Sequence, residues 1–347
     1  MSRSGLGGPT ALDIESQIGD ERRLRDLSVV VLATESSYQV DAARSLLRSG
    51  VTVVSTADRP DDVKRLLALE DSASAARASI IVGAAFSPGV SSLLVAHLAS
   101  YFEQIDVITT ARFGTGGPTC AREHHRSMGA AGREIRSAQA TRMRAGTGRR
   151  LVWFPEPAEA RDCYRAGLCE PTLLQRSFPA VRQIQGLQAA TRRDRLTARL
   201  PMLRPPHPEG LIGATWVEVR GTTASGAVEH RVMAATAPQA TGAAAAAAVM
   251  AGEALASAPT PGVHTVVSVG SEWASAAELL SKLGQQVTLW SYDGSAIASE
   301  SGPEALRAAR KWQRGRNRLL TNIEIGPRKD EWEDLPKVVG PAADYSP

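Results

Sequence analysis

At 347 residues the chain is long enough for two domains with sizeable cores, taking about 150 residues per domain. Its 43% hydrophobic and 22% charged residues are ordinary for a globular protein, and no uninterrupted apolar run approaches the roughly 20 residues of a membrane span, so no membrane partner is expected. The net charge of +4 is built from 35 Arg and 5 Lys, with 18 of the Arg in residues 112–204. No aromatic RNA motif, zinc finger or helix-turn-helix pattern accompanies them, so nucleic acid is not an expected partner. Met1-Ser2-Arg3-Ser4-Gly5 lacks the apolar core of a secretory signal. Cys120, Cys163 and Cys169 fit neither a disulfide framework nor a zinc site, which predicts a reducing cytoplasm and no metal.

Residues 1–27 read as a flexible polar leader. The β-branched run Val29-Val30-Val31-Leu32-Ala33-Thr34 predicts a strand buried on both faces. A helix follows from Tyr38 to Arg48, closed by Gly50 in the C′ role. Val51 to Ser55 is the next strand; Asp58 as N-cap and Pro60 open the following helix, and Ser79 to Val82 makes a third strand. Such alternation implies parallel strands with right-handed crossovers.

A helix from Val90 to Phe102 and a strand from Val107 to Arg112 lead into a second region. Its strands are expected at Leu151–Phe154, Gln183–Leu187, Thr215–Val219 and Val228–Val232, the last two as an antiparallel hairpin. An Ala-rich helix from Gln239 to Ala256 follows. Strands at Val266–Val269 and Val287–Trp290 then flank a helix from Ala274 to Leu283. The expected division is a parallel α/β unit over 28–112, a second α/β unit over 113–302, and a charged extension over 303–347.

The most specific string is Gly83-Ala84-Ala85-Phe86-Ser87-Pro88-Gly89-Val90-Ser91-Ser92-Leu93-Leu94. It leaves a buried strand and turns through Pro88-Gly89 into an apolar helix. In open α/β sheets ligands bind beyond the carboxyl ends of strands, where this loop, Ala33-Thr34 and Ser55-Thr56 all lie. With Gly114 to Pro118, Trp153 to Pro157, Arg161 to Arg165 and Arg199 to Leu203, the string resembles the saccharopine dehydrogenase-like NAD(P)-binding oxidoreductases, especially their short actinobacterial members. The likeness covers most of residues 28–235.

The resemblance implies an α/β protein: an incomplete Rossmann-like parallel sheet plus a second α/β or α+β domain. It implies NAD or NADP as cofactor, an amino-acid-like small molecule as substrate, and a homodimer. The reaction implied is hydride transfer to an imine or carbonyl. Ala33, Thr34, Ser55, Thr56, Phe86, Pro88 and Gly89 become the cofactor-side residues. The family's glycine-rich pyrophosphate turn is not found upstream of Ser28; Gly5-Leu6-Gly7-Gly8-Pro9 is preceded by no strand. Either the start lies further upstream or the phosphate grip is lost. The alternative function is therefore a non-catalytic remnant or accessory subunit that pairs with another chain.

Among residues that handle protons, Glu123-His124-His125-Arg126 is the one histidine cluster. It offers an acid to a carbonyl, or a carboxylate site together with Arg126; the other reading is a solvated helix face. Arg161-Asp162-Cys163-Tyr164-Arg165 offers a Tyr for proton transfer and Arg for carboxylates, or an Asp162–Arg165 surface pair. The expected catalytic set is His124, His125, Tyr164, Arg161 and Asp162, with Arg112, Arg126 and Arg165 gripping substrate.

Overall fold

A computed structural model describes residues 27–206, 212–257 and 259–293. The expectations for the leader, the Gly5–Pro9 string and residues 303–347 lie outside these. The first stretch follows the predicted alternation: β1 (Val29–Leu32), α1 (Ser36–Arg48), β2 (Thr52–Ser55), α2 (Pro60–Leu67), α3 (Glu70–Ala75) and β3 (Ser79–Val82). Gly50 takes φ +74° just past α1, as a C′ glycine does, and Pro60 is the first residue of α2, with Arg59 rather than Asp58 at the cap.

Then come α4 (Val90–Ala99), β4 (Gln104–Phe113), α5 (Pro118–Gly129), β5 (Gly132–Arg136), β6 (Gln139–Met143), β7 (Arg150–Trp153) and β8 (Ala160–Arg165). They are followed by α6 (Glu170–Ser177), β9 (Gln183–Ala189), α7 (Arg192–Thr197), β10 (Ile212–Thr222), β11 (Val228–Pro238) and α8 (Gln239–Ser257). The described residues end with β12 (Gly262–Thr265), α9 (Ala276–Lys282) and β13 (Thr288–Asp293).

Among the described residues two sheets form, giving a mixed α/β protein. The first is parallel, in the order β1-β2-β3-β12. The second runs β13-β11-β10-β4-β9-β5-β6, with the β7–β8 hairpin joined to β9 through β8. The predicted hairpin of β10 and β11 is present, and longer than expected, at 11 residues a strand.

Helix α4 is buried from Val90 to Leu98 and packs against β4, β10 and β11 in the largest apolar cluster. A helix apolar all round is stable only when enclosed in this way. Helix α8 is long and apolar enough by length and composition to cross a membrane. Here it packs on β1, β2 and β11, with Gly242, Ala246, Ala247, Met250, Glu253 and Ala254 buried. A Cβ on Gly242 would stand 2.5 Å from the Phe86 ring, so the close approach of α8 to the turn after β3 requires glycine there.

Two elements differ from expectation. Val266–Ser268 is helical rather than extended, and the strand lies just before it at Gly262–Thr265. Thr265 Oγ1 accepts from the Ser268 amide at 3.1 Å and Ser268 Oγ from the Thr265 amide at 3.0 Å. This capping box outweighs the strand preference of two consecutive valines. The β5–β6 hairpin turns through Ser137 (φ +49°) and Ala138 (φ +63°), without the Asn-Gly or Gly-Gly pair that announces such a turn.

On β10 the Glu218 carboxylate is 1% exposed and held by Arg150 at 2.7 Å, Arg220 at 2.6 Å and His230 at 3.1 Å. Burial works to raise its pKa, but these neighbours, Arg150 foremost, hold it below the usual carboxylate range. A depressed pKa adds stability that is present above the ordinary Glu range and is lost as pH falls through the folded value. Glu218→Gln is therefore expected to flatten the fall in urea stability between about pH 5 and pH 3, and to cost about 2–3 kcal/mol at pH 7. An unchanged pH profile would show that the network does not carry that dependence.

Candidate functional site

The carboxyl ends of β1 and β2 are tied together by one side chain. Gln39 of α1, fully buried, donates through Nε2 to the Thr34 carbonyl at 2.7 Å and to Thr56 Oγ1 at 3.2 Å. Its Oε1 accepts from Ser55 Oγ at 2.7 Å. Ser55 is thereby buried and engaged, and Thr56 Oγ1 donates back to the Leu32 carbonyl at 2.9 Å. Ala33 and Thr34 face solvent.

At the end of β3 the chain turns through Gly83 (φ +83°) and Gly89 (φ +131°) into α4. The Ala85 amide donates to the Pro88 carbonyl at 3.0 Å and the Val90 amide to the Ala85 carbonyl at 3.2 Å. A Cβ on Gly89 would lie 1.8 Å from the Ala85 oxygen, so only glycine fits this turn. Phe86, Pro88 and Gly89 are buried and form the body of the loop.

Beside this loop, Arg112 of β4 presents a guanidinium whose side chain is 11% exposed. Its Nε and Nη2 donate to Gln188 Oε1 at 2.9 and 2.8 Å, and Nη1 to the Ser87 carbonyl at 3.4 Å. Ser87 Oγ in turn donates to the buried Glu170 carboxylate at 2.8 Å, and Asp58 lies 3.7 Å from Nη1. Desolvation opposes the charge on Arg112, but Glu170 and Asp58 outweigh it and raise its pKa. Burial likewise pushes the neighbouring Cys120 and Cys169 thiols up, so neither is a ready thiolate.

Register places a row of side chains on one face: Arg112 on β4 faces Gln188 on β9, which faces Tyr164 on β8. Helix α5 lies over this row. Ser127 Oγ donates to Gln188 Oε1 at 2.8 Å, and Gln188 Nε2 donates to the His124 carbonyl at 2.9 Å. His124 and His125 are both buried rather than on a solvated face; Nε2 of each stands by a backbone carbonyl, of Ala189 at 3.2 Å and of Leu200 at 2.9 Å. Tyr164 is 4% exposed beneath the Arg195 guanidinium, 4.2 Å from its ring centre, and burial raises its pKa.

Strand alternation sends Arg161 and Arg165 to the opposite face. Arg161 lies over the Phe113 ring at 5.2 Å, and Arg165 pairs with the buried Glu134 at 2.5 Å. Asp162 holds Arg149 at 2.7 Å rather than Arg165, and Arg126 is exposed on α5, paired with Glu123. The structure thus groups Arg112, Tyr164 and His124 and separates Arg126, Arg161 and Arg165 from them. Gln188 and Glu170 have no part in the sequence expectations, and Asp58 enters them only as a helix cap. A glutamine within the apolar run Leu187-Gln188-Ala189-Ala190 was the available signal for the first.

The head of α1 is a poor seat for a pyrophosphate. The connection from β1 to α1 carries no glycine, and Glu35 stands at the head of α1, where a carboxylate repels phosphate. Glu35 pairs there with Arg122 at 3.4 Å. Among the described residues no group of three or more His, Cys, Asp or Glu could hold a metal ion.

No protein-family profile matches the sequence, nor does any curated protein. Solved structures do match. Saccharopine dehydrogenase (L-Glu forming) from Saccharomyces cerevisiae superposes with a TM-score of 0.54 at 10% identity, over 81% of this chain and 88% of that one. A mutant of meso-dapdh with DAP from Clostridium tetani gives a TM-score of 0.38 at 14% identity, over 83% and 82% of the two chains. In architecture, then, this chain shares the Rossmann-like fold of the yeast saccharopine dehydrogenase.

Proposed function

We propose that this chain forms the nicotinamide- and substrate-side part of an NAD(P)-dependent oxidoreductase site of the saccharopine dehydrogenase-like kind. The observation that carries the reading is the nearly buried Arg112 guanidinium, fixed beside the Pro88-Gly89 turn at the carboxyl end of a parallel sheet. The bound cofactor would supply or accept the hydride, its ring lying against Ala33, Thr34 and Thr56. Arg112 would orient the carboxylate of an amino-acid-like substrate. Three of the five N–H donors of the guanidinium are engaged by Gln188 and Ser87; two remain, and with Asp58 3.7 Å from Nη1 a substrate carboxylate would compete with Asp58 for them. A Tyr164 phenol with a raised pKa stays protonated at neutral pH and suits the role of acid toward an imine or carbonyl; His124 is the second candidate.

Titration of the purified chain with NADH and NADPH, followed by nicotinamide fluorescence, is expected to saturate below about 1 mM for one of the two. No saturation with either dinucleotide at that concentration would sink the reading.

One observation favours a second reading, an accessory subunit or homodimer joined through the parallel sheet. Strand β1 pairs with β2 and with no other described strand, and Val31 is 37% exposed along it. An open edge of this kind is a template for another strand. Light scattering on a size-exclusion column tests this: a monomer across the micromolar range counts against it.

A further inference from the structure

At the far end of α5 lies a cleft of about 840 Å³. A 12-residue helix rises about 18 Å, so this cleft is well removed from the strand ends beside the head of α5. Its walls are the last turn of α5, the end of β6 with the segment after it, and α7 with the residues that follow. Five arginines line it: Arg142, Arg144, Arg192, Arg195 and Arg199. Among the described residues no acidic side chain lines it, and none of the five forms an ion pair with a described carboxylate. Five guanidiniums in one cleft exceed the net +4 of the whole chain.

The walls are fixed in advance. The Gly146 amide donates to the Arg165 carbonyl at 2.9 Å, the Arg165 amide to the Thr147 carbonyl at 3.0 Å, and Thr147 Oγ1 to the Arg144 carbonyl at 2.6 Å. Gly146 at φ +69° makes this turn possible. Helix α7 begins at a capping box between Thr191 and Asp194, and Arg195 is stacked on the Tyr164 ring. Apolar surface from Met128, Met143 and Leu196, the last 72% exposed, lies among the charges.

We infer that this cleft binds a small ligand carrying a di- or triphosphate group on an apolar or planar body. Its volume is that of a small-molecule site, and planar guanidiniums match phosphate oxygens in bidentate fashion. Five positive charges on one set of walls call for several negative charges held close together, which a polyphosphate supplies and a single carboxylate does not. The inference rests on the lining of the cleft and not on the proposed oxidoreductase function, although the two sites adjoin where Arg195 stacks on Tyr164.

The test is isothermal titration of the full chain with tripolyphosphate, alongside the double variant Arg142→Gln/Arg199→Gln. Both residues are exposed and pair with no described carboxylate, so the variant is expected to unfold at the parent temperature. Saturable one-to-one binding is expected, weakened at least about tenfold in the variant. Tripolyphosphate carries no nicotinamide or other planar ring, so its binding is read apart from the nicotinamide-side site at the strand ends. Absence of saturable heat up to about 5 mM, a concentration beyond any specific site of this charge, overturns the inference. So does equal binding by the variant. Tight, steeply salt-dependent binding of a single-stranded oligonucleotide with no response to tripolyphosphate overturns it as well, because it would make the cleft part of a nucleic-acid track.

Discussion

Arg112→Ala is expected to lower the unfolding free energy by about 3–5 kcal/mol in a urea titration, among the largest losses any single substitution in this protein can give. The guanidinium is the positive partner of the buried Glu170 and of Asp58, and Gln188 Oε1 takes two of its hydrogen bonds. Truncation leaves a buried carboxylate without its cation and a buried amide oxygen with one donor fewer. Arg112→Lys keeps the charge but not the planar fork, so about 1–2 kcal/mol should be lost instead. A stable Arg112→Ala protein would mean that Glu170 is balanced by something other than Arg112. It would also remove the argument for a substrate-orienting cation at this place.

Gly89→Ala is expected to destabilise by about 3 kcal/mol or more, and to abolish whatever dinucleotide binding the parent shows. The clash is with backbone, the Ala85 carbonyl at 1.8 Å, so no side chain can swing aside to relieve it. Gly50→Ala serves as the control. Gly50 also has a positive φ, but nothing lies within 4 Å of an added Cβ, so its cost should stay near the intrinsic penalty of about 1 kcal/mol. If the two substitutions cost the same, conformation alone and not the close approach to Ala85 governs the Pro88-Gly89 turn.

The first parallel strands and helices were legible because local signals agree with the fold: β-branched runs, a C′ glycine at Gly50 and a first-turn proline at Pro60. The string from Gly83 to Leu94 was legible for the same reason, since its glycines, proline and apolar helix all belong to one continuous turn. The site itself was legible only in part. Arg112, Gln188 and Tyr164 come from three separate strands and meet through register alone, which no spacing in the chain records. Arg161 and Arg165, close to Tyr164 in sequence, are carried to the other face by the two-residue period of β8. The arginine-lined cleft was invisible for the same reason, because its walls come from three stretches between Met128 and Arg199.

The parallel sheet has a further consequence for how the protein comes to be. Its fourth strand, β12, lies beside β3, yet Ser79 Oγ reaches the Thr260 carbonyl across 181 residues of chain. Closing so large a loop costs entropy before any pairing returns it, and strands so distant in sequence join slowly. A nascent chain must therefore carry Ile80, Ile81 and Val82 with one flank of β3 bare until residues 262–265 have been synthesised. Late translation, not the early strands, sets the moment at which this sheet is closed.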